Sequence, residues 1–501
     1  MLKETFRELL AYIDDDSIAL VTPSEESLTY GELISEASRL SSQLSQMGIT
    51  QDDRVAILLP NGPSMVISFL AVIFTACAAP LNPKSRASEI AYYLNDLGAA
   101  AIITDAATFP SEEPGLAQSV VKLHLDGPIG NLNLSTNKRS HRSQYRAPRS
   151  DDAALVLHTS GTTSRPKLVP LRQGHLVHSA INIARSLELG PTDRSMNVMP
   201  LFHIHGLLAG LLAPLAVGGS VISTNGFDAF SFFSQLERFR PTYYTAVPTM
   251  HQMVLSRSKS SQTSAPKCGL RFVRSSSASL PTPVLSALTE LFQVPVIEAY
   301  GMTEATHQMC SNPLPPAASK PGSVGLPSGI DLCVLDPAAS TLEAYERGEI
   351  AIRGPNVMVG YENNEDANRE AFTSGWFRTG DEGYIDSDGY VFLTGRLKEQ
   401  INRGGEKVSP LEVDAVLLTH PKVQQAVTFA IPHDKLGEEV GAAVVLSSGG
   451  TVSATELRNF LSEHLASFKV PRKILFLEEL PKGPTGKLQR IGLASRLGLE
   501  N

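Results

Sequence analysis

Five short apolar runs, Arg54 to Leu59, Ala153 to Leu157, Thr242 to Val247, Leu270 to Arg274 and Val294 to Ala299, alternate with stretches whose apolar residues recur at helical spacing. Leu176, Ala180, Ile183 and Leu187 form one such helical stripe, which Gly190-Pro191 ends. The rhythm predicts parallel sheets flanked by helices, an α/β fold. Met65 to Leu81 carries no charge, but it is short for a membrane span, contains Ser68 and Thr75 and stops at Pro80, so it reads as a buried helix. Asn131 to Arg149, rich in Ser, Asn and Arg, reads as a solvated loop. After Arg396 the order becomes strand, helix, two strands, helix and strand within roughly a hundred residues, the size of one small domain. Ser409-Pro410-Leu411-Glu412 and Ser453-Ala454-Thr455-Glu456 each begin one of its helices with a capping pattern. The expected architecture is therefore a large N-terminal domain, residues 1–396, with mixed and parallel sheets, and a small mobile α+β lid, residues 397–501.

Composition narrows the partners. At 501 residues, 42% hydrophobic and 19% charged, the chain can bury a large core and is too long for one ordinary domain. A net charge of −8 gives no electrostatic reason to bind nucleic acid or an anionic membrane, which leaves small molecules as the expected partners and the oligomeric state open. Cys77, Cys268, Cys310 and Cys333 are scattered without a Cys-x-x-Cys pair, so neither a disulfide framework nor a zinc site is implied. The N-terminal Met1 to Leu10 is amphipathic and lacks a signal core, and Gly498-Leu499-Glu500-Asn501 is not a Ser-Lys-Leu address; the expected location is cytoplasmic. Asp386-Ser387-Asp388-Gly389 lacks the flanking ligands of a calcium loop and reads as a β-turn.

The densest chemistry lies in His158-Thr159-Ser160-Gly161-Thr162-Thr163-Ser164-Arg165-Pro166-Lys167. Hydroxyls and successive N–H groups can ring the oxygens of an anion, Gly161 permits close backbone approach, and Lys167 supplies charge. The expected placement is a loop between a strand and a helix. The spacing is not that of a Walker A motif, which needs Gly-Lys-Ser/Thr four residues after its first glycine.

This segment resembles the phosphate loop of the adenylate-forming acyl-CoA synthetase superfamily. Further segments agree in order: Glu298-Ala299-Tyr300-Gly301-Met302-Thr303-Glu304 is similar to the Tyr-Gly-x-Thr-Glu element, Trp376 to Asp381 to the Thr-Gly-Asp element, Gly395-Arg396-Leu397-Lys398-Glu399 to the hinge, and Pro484-Thr485-Gly486-Lys487 to the C-terminal lysine motif. The resemblance implies an ATP-dependent ligase using Mg²⁺ and CoA. A carboxylate attacks the α-phosphorus to give an acyl-adenylate and pyrophosphate, and the CoA thiol then displaces AMP. It assigns Thr159, Ser160, Gly161, Thr162, Thr163 and Lys167 to phosphate, with Ser277, Glu298 and Ala299 completing the ATP site. Tyr300 would stack on adenine, Asp381 accept from ribose hydroxyls, Arg396 hold ribose and phosphate oxygens, Thr303 contact phosphate and Glu304 ligate Mg²⁺. Lys487 would bridge carboxylate and α-phosphate, and Lys398 would be the pivot that swaps Lys487 for Gly404-Gly405 beside pantetheine.

For the acid itself, polar residues follow Glu304 where an acyl tail would lie, and His307, His203 and Ser277 form a candidate pocket for a second carboxylate. Arg274-Ser275-Ser276-Ser277-Ala278-Ser279 and Met302-Thr303-Glu304-Ala305-Thr306-His307 resemble the oxalate-CoA ligase branch of the superfamily. A medium-chain or 4-coumarate-like CoA ligase and a stand-alone adenylation domain that loads a carrier protein are the alternatives.

Overall fold

The structure, a computed structural model, describes residues 4–105, 108, 120–136, 145–159, 166–261, 269–447, 449–482 and 488–499. Among these residues the strands form four sheets of nine, seven, five and five strands. In the first, Ile18–Val21, Ser220–Ser223, Arg194–Asn197, Tyr243–Ala246, Phe272–Ser276 and Val296–Met302 run parallel in that spatial order. Ser27–Thr29 closes one edge antiparallel, and His307–Ser311 followed by Leu326–Pro327 the other. In the second, Val121–Asp126, Ala101–Thr104, Arg54–Leu58, Cys77–Pro80 and Ala153–Thr159 are parallel, again between antiparallel edges. Helices such as Pro63–Ile73 and Gln173–Ser186 cover these sheets, which is why their strands read as continuous apolar runs rather than as alternation. A third, antiparallel sheet spans Asp331–Leu335 to Val391–Arg396. The fourth comprises Ile401–Arg403, Glu406–Val408, Val423–His433, Gly437–Leu446 and Lys473–Phe476.

The cores divide along the same line. One buried cluster runs from Phe6 to Val391 and joins the first three sheets, whereas the clusters of the fourth are built from Ile401 to Ala494. Among the described residues no core cluster mixes the two groups, so a large N-terminal domain is followed by a smaller one.

Four local expectations change. The phosphate segment does not lead straight into a helix: Lys167–Arg172 is a strand antiparallel to Ala153–Thr159, and the helix Gln173–Ser186 starts only after it. Pro170 disguised this strand, and it is tolerated because the strand lies at the sheet edge. Met65 to Leu81 is not one helix but the helix Pro63–Ile73 followed by the strand Cys77–Pro80, since both are buried and equally apolar. Asn131 to Arg149 contains the short edge strand Asn133–Ser135, held by Arg39 and Gln43 side chains. The Ser409 hydroxyl does not cap its helix; it donates to the Thr394 carbonyl, across the connection between the two domains. Ser453 does form the expected reciprocal capping pair with Glu456. At Asp386-Gly389 a β-turn forms, closed by the Gly389 N–H donating to the Asp386 carbonyl at 3.0 Å and bound from outside by Lys320.

Candidate active site

The parallel register of the first sheet sets Thr245 beside Arg274, and Ser275 beside Glu298. The strand ends therefore deliver the Ser277, Tyr300 and Glu304 segments to one crevice, as open parallel sheets do. Thr159 ends its strand and Lys167 begins the paired one, so the phosphate segment is a hairpin connection; Ser160, Gly161, Thr162 and Thr163 lie outside the described residues, as does Lys487. The flanks of Lys487, Lys482 and Leu488, pair across an antiparallel bridge.

Around the expected nucleotide, three residues converge. The Tyr300 hydroxyl donates to Asp381 Oδ2, and Arg396 Nε pairs with Asp381 Oδ1 at 2.9 Å. The carboxylate beside it holds the Arg396 guanidinium above its ordinary range, and burial next to the same carboxylate pushes the Tyr300 phenol up. Glu298 is buried on the same strand as Tyr300, and burial pushes its carboxyl up to about 7. The Ala299 carbonyl accepts from the Ser276 hydroxyl.

Thr303 and Glu304 occupy a single 3₁₀ turn, Thr303–Ala305, at the end of that strand. Glu304 is buried, and its Oε1 accepts from the Tyr361 hydroxyl at 2.8 Å. Lys167 Nζ lies 4.3 Å from the centre of the Tyr361 ring, and burial, reinforced by the Lys398 charge, draws its ammonium below the ordinary lysine range. A carboxylate so held keeps lone pairs for a hard cation. Among the described residues no cluster of three or more His, Cys, Asp or Glu side chains could hold a metal alone. Glu304 therefore suits Mg²⁺ that takes its remaining ligands from nucleotide oxygens and water.

The acid pocket differs from expectation in its membership. Arg274, fully buried in the Phe272–Ser276 strand, donates through Nη1 to Thr245 Oγ1 (3.0 Å) and His205 Nε2 (3.3 Å), and through Nη2 to Gln308 Oε1 (2.9 Å) and His307 Nε2 (3.3 Å). The rings of His205 and His307 stack 4.8 Å apart. His205 Nε2 also lies 2.6 Å from Thr245 Oγ1, so this ring is held by Thr245 and Arg274 together. His205 Nδ1 and Ser277 Oγ share a hydrogen bond of 3.1 Å. Thus Ser277 and His307 are brought together, but through His205 and Arg274. His203 stands one step away, half-buried, its Nδ1 accepting from the His205 N–H. Among the described residues no carboxylate pairs with Arg274, and its Nε is buried without a hydrogen-bond partner. Burial alone lowers its guanidinium to about 10, which keeps it cationic at neutral pH.

The backbone is strained at this pocket. Ser277, Thr306 and His307 have φ of 74°, 50° and 91°, each costing about 1–3 kcal/mol in a residue other than glycine. Surrounding bonds over-determine them: Ser179 Oγ donates to the Thr306 carbonyl, and Thr306 Oγ1 donates to the Asn356 carbonyl at 2.7 Å. Gly301 permits the turn, because a Cβ there would sit 1.8 Å from the His307 carbonyl oxygen.

Lys398 lies exposed in the 3₁₀ turn Leu397–Glu399, between the two domains, and Gly404 and Gly405 form the tip of the Ile401–Val408 hairpin with φ of 61° and 94°.

With this geometry, comparison with known proteins is decisive. The family model of AMP-binding enzymes matches residues 11–362, and that of the AMP-binding enzyme C-terminal domain residues 412–487. The chain belongs to the AMP-binding enzyme family. An oxalate–CoA ligase of Arabidopsis thaliana is 46% identical over 95% of this chain and 94% of its own length. An oxalate–CoA ligase of Saccharomyces cerevisiae is 40% identical over 95% and 94%. The o-succinylbenzoate coenzyme A synthetase of Bacillus subtilis, solved with ATP and magnesium, superposes with a TM-score of 0.83 at 30% identity, covering 97% of this chain and 98% of that one. This family member is an AMP-forming acid–CoA ligase, with ATP, Mg²⁺ and CoA as its cosubstrates and cofactor. Among the described residues no helix is long and apolar enough to cross a membrane.

Sequence reasoning missed His205, Thr245 and Tyr361 and passed over Arg274. One signal was present: an arginine inside a strand of a parallel sheet, where both faces are buried, is out of place unless it serves a polar site. Nothing in His203-Ile204-His205 distinguishes which ring turns inward.

Proposed function

We propose that the acid this ligase activates is oxalate, and that the product is oxalyl-CoA. The observation that carries this reading is Arg274, a buried cation with no carboxylate partner among the described residues, ringed by His205, His307 and Gln308. Burying an unpaired charge costs several kcal/mol, and a substrate whose far end is anionic offsets that cost. Ser277 and His307 add polar groups beside this cation, and an aliphatic tail would match neither them nor the charge. The identity to two oxalate–CoA ligases supports the same choice.

In the reaction, one oxalate carboxylate oxygen bonds to the α-phosphorus of ATP and the bond to pyrophosphate breaks; then the CoA sulfur bonds to the oxalyl carbon and AMP leaves. Thr159 to Thr163, Lys167 and Thr303 hold phosphate oxygens, Ser277, Glu298, Ala299 and Tyr300 line the nucleotide site, and Asp381 with Arg396 holds the ribose. Glu304 would hold Mg²⁺, which shields the triphosphate charge. Lys487 offsets the charge developing between carboxylate and α-phosphate. The division falls between residues 396 and 397, Lys398 is the pivot, and Gly404 and Gly405 admit pantetheine in the second step. The separate cores and the exposed position of Lys398 favour this division.

The test is CoA-dependent AMP release from ATP and Mg²⁺ with oxalate, malonate, acetate, octanoate and 4-coumarate at matched concentrations. A kcat/KM for oxalate about 10⁴-fold above the monocarboxylates is expected, the scale on which a site built for a polar group rejects substrates that lack it. Preference for octanoate or coumarate would discard the anionic pocket.

A further inference from the structure

Tyr361 has no part in the roles assigned so far, yet it touches two residues that carry them. Its hydroxyl donates to Glu304 Oε1 at 2.8 Å, and its ring face lies 4.3 Å from Lys167 Nζ. The segment that bears it is pinned to the same two places through the main chain: the Met358 N–H donates to the Glu304 carbonyl at 2.7 Å, and the Glu362 N–H to the Leu168 carbonyl at 3.1 Å. Asn368 fixes both peptide groups of Tyr361, accepting from its N–H at 2.7 Å and donating to its carbonyl at 2.8 Å. Arg54 anchors the neighbouring Glu362 through both carboxylate oxygens. A tyrosine fixed this firmly behaves as a part of the frame rather than as a mobile side chain.

Lys167 and Glu304 carry opposite charges and the Glu304 charge acts on Lys167, yet they form no ion pair. The Tyr361 ring and hydroxyl engage both. If the two charges met, the lysine would lose its phosphate and the glutamate its metal. We propose that Tyr361 is a positioning residue of the triphosphate site, holding Glu304 and Lys167 apart so that each is available to MgATP. This rests on the assignment of Lys167 and Glu304 to the triphosphate.

Calorimetric titration of the full chain with ATP, once in Mg²⁺ and once in EDTA, separates the two functions of the side chain. Tyr361→Phe keeps the ring under Lys167 and removes the donor to Glu304; it should weaken ATP binding about tenfold in Mg²⁺, raise the Mg²⁺ concentration for half-maximal adenylation, and leave binding in EDTA unchanged. Tyr361→Leu removes the cation–π contact as well and should weaken binding in both media, by a further factor of about three to ten in Mg²⁺. Tyr361→Phe with wild-type affinity and an unshifted Mg²⁺ midpoint would overturn the proposal, and that variant decides alone if Tyr361→Leu does not fold. Glu304→Gln and Lys167→Met are titrated beside them. If these bind MgATP as tightly as wild type, the triphosphate assignment itself falls; if they bind weakly while Tyr361→Phe is unaffected, only the positioning role does.

Discussion

The acid pocket and the lid are built in opposite ways. In the pocket Arg274, His205, Thr245, His307 and Gln308 are buried around the ends of parallel strands and bonded to one another: Arg274 touches four partners, and Ser277 and His307 keep positive φ. At the lid, Lys398 is exposed on a single turn, Gly404 and Gly405 tip an exposed hairpin, and a core of its own separates it from the larger domain. Rigid surroundings suit choosing a substrate, because a preformed array of donors rejects whatever leaves it unanswered. A separate small body suits presenting different groups to successive steps.

The comparison breaks most sharply at Lys487. Lys487→Ala should reduce adenylation about a thousandfold, the scale of losing one charge aimed at a phosphoryl transfer, while CoA thioester formation from supplied oxalyl-adenylate stays near wild type. Pyrophosphate exchange and single-turnover thioester formation measure the two steps separately. Equal loss in both would mean that the lid is one fixed half of a single site.

Arg274→Leu attacks the other region. Removing the guanidinium deletes the charge and its hydrogen bonds to Thr245, His205, His307 and Gln308, so kcat/KM for oxalate should fall about a hundredfold while that for acetate changes little. Here His205→Ala should resemble Arg274→Leu, and His203→Ala should be milder, because only His205 joins Arg274 to Ser277. A similar loss for every acid would reduce Arg274 to a structural residue.

How much of this the sequence could have revealed depended on whether the signal was local. The parallel strands were legible because they are buried on both faces, as was the capping pair at Ser453. The strand at Lys167–Arg172 was not, since a proline is compatible with a strand only at a sheet edge, and edge position is a property of the whole sheet. The same holds for the pocket. Ser277 and His307 stand out next to motifs, but the choice of His205 over His203 depends on which ring faces a strand 69 residues later in the chain. Tyr361 escaped because a tyrosine in a Gly-Tyr-Glu-Asn segment looks like any half-buried aromatic until Glu304 and Lys167 are folded against it.

Lys398→Pro sharpens the lid side further. Proline fixes φ near −65° and removes an N–H, so a pivot at this position would lose its range. Thioesterification should slow about tenfold more than adenylation in rapid-quench measurements of the two half-reactions. Unchanged ratios would place the pivot elsewhere in the connection.

The smallest effect is expected where the rigid domain buries a titrating group. Glu298 has a carboxyl pushed from 4.5 up to about 7 by burial, so the folded state holds its proton over a range in which the unfolded chain has lost it. Stability then falls as pH rises from about 4.5 to 7 and is level on either side, a span of up to about 3 kcal/mol for one group at about 1.4 kcal/mol per unit. Glu298→Gln removes the titration. The melting temperature of the large domain, followed by calorimetry, should therefore show a gap between variant and wild type that opens in the variant's favour across this window and stays constant above it. A gap independent of pH would mean that the carboxylate is solvated in the folded protein, and that this part of the rigid domain is as open as the Gly404-Gly405 hairpin tip.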